Sequence, residues 1–242
     1  MAKNYSFLRD AAINDLRTYM DSLDPDKGSK LAYWVKDYVH FLKQEKTFQS
    51  AKLIKYKRGA IVKTHLGYRV GSEEGGLHYA VVMDKANSLY SPTVTVIPLT
   101  SVKPGVDLTN LHSSQVPIGN EIFTLLTSNY NAEIRSAKQH LRELSELRST
   151  LSTTTDIDVL SDKIGEIEKQ IQYCEKMKKE VDKMKQGSIA LVGQITTISK
   201  IRIYDPKYSK DALSKVRVSA NTLNALDAKM QELFGSSALK NA

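Results

Sequence analysis

Cysteine and tryptophan occur once each in 242 residues, proline six times, and aromatic residues make up only 7% of the chain. The lone Cys174 has no partner for an internal disulfide, which agrees with a reducing compartment. No stretch approaches the ~18 consecutive apolar residues of a membrane span, and MAKNYSFLRDAAIN lacks the apolar core of a signal peptide. A cytoplasmic protein without membrane partners is therefore expected. His40, His65, His78, His112 and His140 show no metal-ligand spacing, so neither metal nor cofactor is expected. What is present, 41% hydrophobic and 26% charged residues, is ordinary for a foldable soluble chain and excludes wholesale disorder, collagen and a disulfide mini-protein.

The net charge of +8 is distributed unevenly. Residues 1–50 hold 8 basic and 7 acidic groups, 51–129 hold 8 and 5, 130–187 hold 11 and 11, and 188–242 hold 8 and 4. Most of the surplus thus flanks a neutral middle. If the flanks form one folded unit, that unit is a basic body suited to a polyanion, although a modest lysine surplus is also common in cytosolic domains.

Apolar spacing predicts one helix from Ser6 to about Leu23, broken by Asp24-Pro25-Asp26-Lys27-Gly28, and a second from about Ser29 to Gln44 that buries Leu31, Trp34, Val35, Tyr38, Val39 and Leu42. Two short helices cannot shelter that surface alone, so they are expected to dock on a neighbouring domain or a second copy of the chain. The period then changes. Arg58–Lys63, His78–Met83 and Thr93–Leu99 read as strands, with Gly67–Gly76 as a long glycine-rich connection and a weaker strand near Ile118–Thr124.

Helical periodicity returns from about Tyr130, and Asp156 or Asp158 can cap a second helix after the polar Ser152–Asp156 turn. That helix carries Ile157, Leu160, Ile164, Ile167, Ile171 and Cys174 in heptad steps, then slips to Met177, Val181 and Met184. Gly187 stops it. Strand character resumes over Ser188–Ile198 and Val216–Val218, and Ser219 can cap a final amphipathic helix. A coiled-coil hairpin inserted between strands of one small sheet accounts for this order.

Three blocks carry a resemblance: Lys57–Val62; Gly71-Ser72-Glu73-Glu74-Gly75-Gly76-Leu77-His78-Tyr79-Ala80-Val81-Val82; and Val94-Thr95-Val96-Ile97-Pro98-Leu99-Thr100-Ser101. Together with Ser188–Arg202 beyond the insertion, they resemble the PemK/MazF family of toxins from toxin-antitoxin systems, over roughly residues 55–127 and 188–236. The resemblance implies a small SH3-like curved β-barrel; the inserted antiparallel coiled-coil hairpin and the N-terminal helical pair, read from periodicity, have no counterpart in the short toxins, and together they make the expected fold α+β. The corresponding division is a helical segment at 1–50, the barrel at 51–129 with 188–242, and the hairpin at 130–187.

The resemblance further implies a homodimer, a cognate antitoxin, and metal-independent cleavage of single-stranded RNA by attack of a ribose 2′-OH on the adjacent phosphate. Catalytic expectations fall on His78, Thr100 and Ser72, and RNA-binding expectations on Arg58, Lys63, Arg69, Gly75, Gly76 and Arg202. Where active relatives carry an arginine after the paired glycines, this chain has His78. Imidazole serves as acid or base near neutrality but lacks arginine's permanent forked charge. An arginine-x-aspartate pair used in one branch falls at Leu191 and Gly193, and the usual arginine after glutamine-isoleucine is Thr196. These losses keep open an alternative, a catalytically impaired RNA- or protein-binding module. A gyrase poison like the related CcdB toxins is disfavoured, because their C-terminal aromatic signature is absent from Leu233–Ala238.

Blander readings accompany these. His78 can simply close a strand, Thr100 can be an ordinary strand-end residue, Ser72 can belong to a solvated turn, and Gly75 and Gly76 can serve only a positive-φ turn. Glu73 and Glu74 would repel phosphate, so bonding loop amides is the expectation for them. Tyr68, Tyr79 and Tyr90 are candidates for base stacking or for packing. The glycine stretch lacks the lysine-serine/threonine ending of a P-loop.

Overall fold

A computed structural model describes residues 5–150 and 154–235, and side chains outside 147–159. The expected caps Asp156 and Asp158, and the seam residue Ile157, lie outside the described side chains. The fold is α+β, with five α-helices and an antiparallel sheet of seven strands among the described residues.

Helix α1 (Ser6–Ser22) is followed at once by α2 (Pro25–Gln44). The predicted break is present but narrower, at Leu23 and Asp24, and α2 starts at Pro25 rather than near Ser29. The Asp24 side chain accepts from the Lys27 N–H at 3.0 Å, and Pro25 occupies the first turn, where its missing N–H costs nothing. Of the expected apolar face of α2, Leu31 is buried and Trp34 and Val35 are half-buried, whereas Tyr38, Val39 and Leu42 are exposed. Phe41 is buried in their place. α2 docks on the sheet body: Phe41 meets the edge of Tyr204, and the Tyr204 hydroxyl donates to Asp37 at 2.6 Å.

Strands β1 (Ile61–His65), β2 (Leu77–Val82) and β3 (Thr93–Ser101) form an antiparallel meander, β4 (Gln115–Gly119) and β5 (Ser188–Leu191) pair with each other, and β6 (Thr196–Ser199) and β7 (Ile203–Asp205) complete the sheet. The order is β4-β5-β3-β2-β1-β7, with β6 also paired to β3, and the sheet is open along this path. Strand β3 is the pivot. Its first half pairs with β6 through Val96↔Thr196, and its end pairs with β5 from Leu99↔Ala190. Between them lies Pro98, which has no N–H to give a ladder, and there the segment between β5 and β6 makes a 3₁₀ turn at Val192–Gln194.

Strand alternation sends side chains into two cores. On one side Ile61, Val81, Ile97 and Leu99 pack with Ile122, Leu126, Met177 and Leu226 from the helices. On the other Val62, Ala80, Val82, Val94 and Val96 enclose Tyr56, Leu66, Ile198 and Ile203. Fully burying one such aliphatic side chain stabilises by about 1.5–3 kcal/mol, so both faces are held firmly.

Helix α3 (Glu121–Thr150) begins directly after β4, earlier than the expected Tyr130, so Ile122 to Thr124 are helical rather than strand. It runs antiparallel to α4 (Thr154–Lys183): His140 bonds Gln170 at 2.8 Å, while Tyr130 lies beside Lys178. The expected slip after Cys174 is absent. Ile164 and Ile171 are exposed, and the seam takes Ile167, Gln170, Cys174, Met177, Val181 and Met184 in unbroken steps of three and four. Gln170 is tolerated there because His140 and Glu133 satisfy its amide. Because β4 and β5 pair, the two ends of this helical pair lie side by side. Helix α5 (Ala220–Phe234) starts at Ser219, whose hydroxyl accepts from the Thr222 N–H at 3.2 Å as expected. Among the described residues no helix is long and apolar enough to cross a membrane.

Candidate active site

The site is built where the β1–β2 connection returns to the sheet. The Leu66 N–H donates to Gly76 O and the Gly76 N–H to Gly67 O, both at 2.8 Å, pinching the loop closed. Gly76 needs its φ of +88° for this, while Gly75 has no positive φ. The requirement at Gly75 is space, since a Cβ there would lie 2.9 Å from Gly67 O.

His78 stands just after this pinch. Its Nδ1 lies 3.0 Å from Leu99 O and its Nε2 2.9 Å from a Glu74 carboxylate oxygen. Both ring nitrogens therefore face acceptors, an arrangement satisfied when each carries a proton. Glu74 is thus more than a loop brace, although its own N–H does bond the Gln194 side chain. Leu99 is the residue before Thr100, and His78 and Thr100 line one cavity of about 220 Å³. Lys183 and Lys185, at the end of α4, line it too. Sequence reasoning missed these lysines, because only the β3–β5 pairing brings the hairpin's end beside the strand.

A larger cavity of about 580 Å³ shares His78 and adds Arg69, Gly75 and Gly76. It also takes Lys30, Tyr33 and Trp34 from α2, a contribution with no sequence signal. A third, of about 400 Å³, holds Ser72, Arg69, Glu73 and Glu74 against Gln194. The Gln194 amide donates to Ser72 O at 3.2 Å, so Ser72 neighbours the His78 cavities without lining them.

The remaining cations are dispersed. Arg202 is half-buried under the loop: its Nε donates to His65 O at 2.8 Å, and its guanidinium lies 5.5 Å from the Trp34 ring. Burial, and then the charge of Arg69, hold its pKa below the ordinary value. Arg69 Nε donates to Leu66 O at 2.8 Å. Arg58 is turned toward α5, bonded to Asp227 and to Met83 O. Lys63 lies 2.7 Å from Glu180 of α4, which also accepts from the Tyr79 hydroxyl at 2.8 Å. Burial and Glu180 push the Tyr79 phenol up. The structure therefore gathers His78, Thr100, Arg69, Gly75 and Gly76 around two cavities that share His78 and sets Arg58 and Lys63 elsewhere. Tyr79 is a packing residue, and Tyr68 lines the larger cavity. Among the described residues no group of three or more histidine, cysteine, aspartate or glutamate side chains is placed to hold a metal ion.

No curated protein matches the chain. A family model described as PemK-like, MazF-like toxin of type II toxin-antitoxin system matches residues 57–176. The match includes the pinched loop, His78, Thr100 and most of the helical pair; the Ser188–Arg202 block lies beyond it. Just under half of the chain, residues 57–176, is thus similar to the PemK-like, MazF-like toxin family of type II toxin-antitoxin systems.

Proposed function

We propose that the protein is a metal-independent endoribonuclease that cleaves single-stranded RNA. One observation carries the reading: His78 and Thr100 share a small cavity with Lys183 and Lys185, and His78 Nε2 is paired with Glu74. The scissile phosphate occupies this cavity, with the Thr100 hydroxyl donating to a nonbridging oxygen and the two lysines supplying positive charge.

With Nδ1–H fixed on Leu99 O, Nε2 is the ring position that transfers a proton. Glu74 accepts the proton of the ribose 2′-OH, the 2′-oxygen bonds to phosphorus, and the P–O5′ bond breaks. His78 Nε2–H protonates the departing 5′-oxygen, leaving a 2′,3′-cyclic phosphate and a 5′-hydroxyl. Such acid-base help contributes about 10²–10⁴ in rate, and one well-placed electrostatic donor about 10²–10³. Ser72, Gly75 and Gly76 shape the loop, and Arg69 stands at the RNA-binding cavity. Arg202 supports that cavity from beneath through Trp34, while Arg58 and Lys63 hold helices to the sheet.

In this reading a basic body, residues 51–129 with 188–242, folds as a small SH3-like curved barrel that carries residues 130–187 as a coiled-coil insertion and 1–50 as a helical pair. It acts in the cytoplasm, as a homodimer, and is neutralised by an antitoxin. Purified protein should cut single-stranded RNA in EDTA, leaving cyclic phosphate ends, and a strand with 2′-deoxyribose at the cut position should resist. RNA left intact while still bound would instead favour a binding module, a second reading supported by the engagement of both His78 ring nitrogens within the protein.

A further inference from the structure

The largest of these cavities is walled by a helix outside the family match. Trp34 stacks on His65 with ring centroids 4.5 Å apart and planes at 22°, and Arg202 lies on the same indole. These contacts fix α2 over the loop and leave its neighbour Tyr33 on the cavity wall with 66% of its surface open. Tyr68, 41% exposed, lines the same space from the loop, and Lys30 and Arg69 contribute cations. At about 580 Å³ the cavity falls within the size range of small-molecule sites, and it shares His78 with the phosphate cavity.

Two open tyrosine rings beside cations suit a nucleobase attached to a phosphodiester. The rings offer flat apolar faces to a base, and the cations match the backbone charge. We infer that this cavity is a nucleobase subsite: the base of a nucleotide adjoining the scissile linkage packs against both Tyr33 and Tyr68, and Lys30 and Arg69 hold its flanking phosphate. The inference rests on the ribonuclease reading for the position of that linkage. It gives the N-terminal helices a role in substrate binding that residues 57–176 alone do not supply.

The test uses full-length protein and a fluorescently labelled 2′-fluoro RNA 12-mer, which lacks the 2′-OH nucleophile, read by anisotropy, with cleavage of ordinary RNA followed separately. Tyr33→Ala and Tyr68→Ala should each weaken binding roughly five- to a hundred-fold, the range for one stacked base, while Tyr33→Phe stays near wild type. Lys30→Ala should weaken binding and flatten the salt dependence by about one phosphate contact. Wild-type affinity in the Tyr33→Ala, Tyr68→Ala double variant would overturn the subsite even if the protein cleaves RNA. Tyrosine-dependent binding without any cleavage would support the subsite and remove the nuclease reading. Failure of the wild-type protein to bind the 12-mer would overturn the proposal and leave the tyrosine wall to a protein partner.

Discussion

Glu74 and His78 bracket the glycine pair and meet across it, with a carboxylate oxygen 2.9 Å from Nε2. The turn that brings them together is the one that Gly76 makes with its positive φ, so the backbone of the loop sets the chemistry of the pair. Replacing either member leaves β2, which carries His78, and the loop backbone, which carries Glu74, intact. His78→Ala should lower cleavage by about 10²–10⁴ and Glu74→Gln by a similar factor, with little change in thermal unfolding. Single-turnover rates beside melting curves test this. Equal loss of rate and stability would point to a structural pair.

Gly67 has a φ of +103°, and a Cβ there would lie 3.2 Å from an Arg202 nitrogen and 3.4 Å from the Trp34 ring. Gly67→Ala should therefore cost about 1–3 kcal/mol and loosen α2 from the loop. Trp34 is the only tryptophan, so its fluorescence reports the change directly. An unshifted spectrum with unchanged stability would contradict the packing described for this corner.

Lys63 and Glu180 keep only 16% and 13% of their side-chain surface exposed. Removing one partner strands the other charge, so Glu180→Ala should destabilise by about 3 kcal/mol or more. The Lys63→Met, Glu180→Met pair should recover much of that loss. Urea titration of the three proteins checks the non-additivity, and simple additivity would show that the pair is not coupled.

Burial pushes the Asp205 carboxyl up to about 6, even though Oδ1 accepts from the Leu213 N–H at 2.8 Å. The folded state thus keeps a proton that the unfolded chain has released, and this contribution to stability is lost as pH rises from about 4 to about 6. Asp205→Asn keeps the acceptor and removes the titration. Its melting temperature relative to wild type should climb across that window and level off above it; a constant difference would contradict the assignment. His65 acts with the opposite sign. Burial lowers its pKa, so its contribution is present at neutral pH and is lost as pH falls below its unfolded value.

Local signals in the sequence located the helices and most strands, because those elements are written in period and turn chemistry. Where the reading failed, a neighbour decided the outcome. The break before Pro25 was read, but not that Asp24 caps a helix beginning there rather than near Ser29. Ile171 looks like a seam residue, yet Gln170 holds that place because His140 and Glu133 bond it. The cavity shared by His78 and Thr100, the proposed site, was legible in part, since both lie on strands matching a family pattern. Lys183, Lys185 and Tyr33 were not, since they reach the cavities from the end of α4, the segment just after it and α2, whose docking depends on tertiary contacts. Arg58 and Lys63 read as groove cations because a sequence does not display their partners Asp227 and Glu180.

The central claim is that His78 protonates the departing 5′-oxygen. Cleavage of RNA carrying sulfur at the bridging 5′ position measures this directly, since a thiolate departs without a proton. On ordinary RNA the wild type should exceed His78→Ala by about 10²–10⁴, and on the sulfur-bridged strand the two should agree within about tenfold. The same large deficit on both substrates would contradict the account.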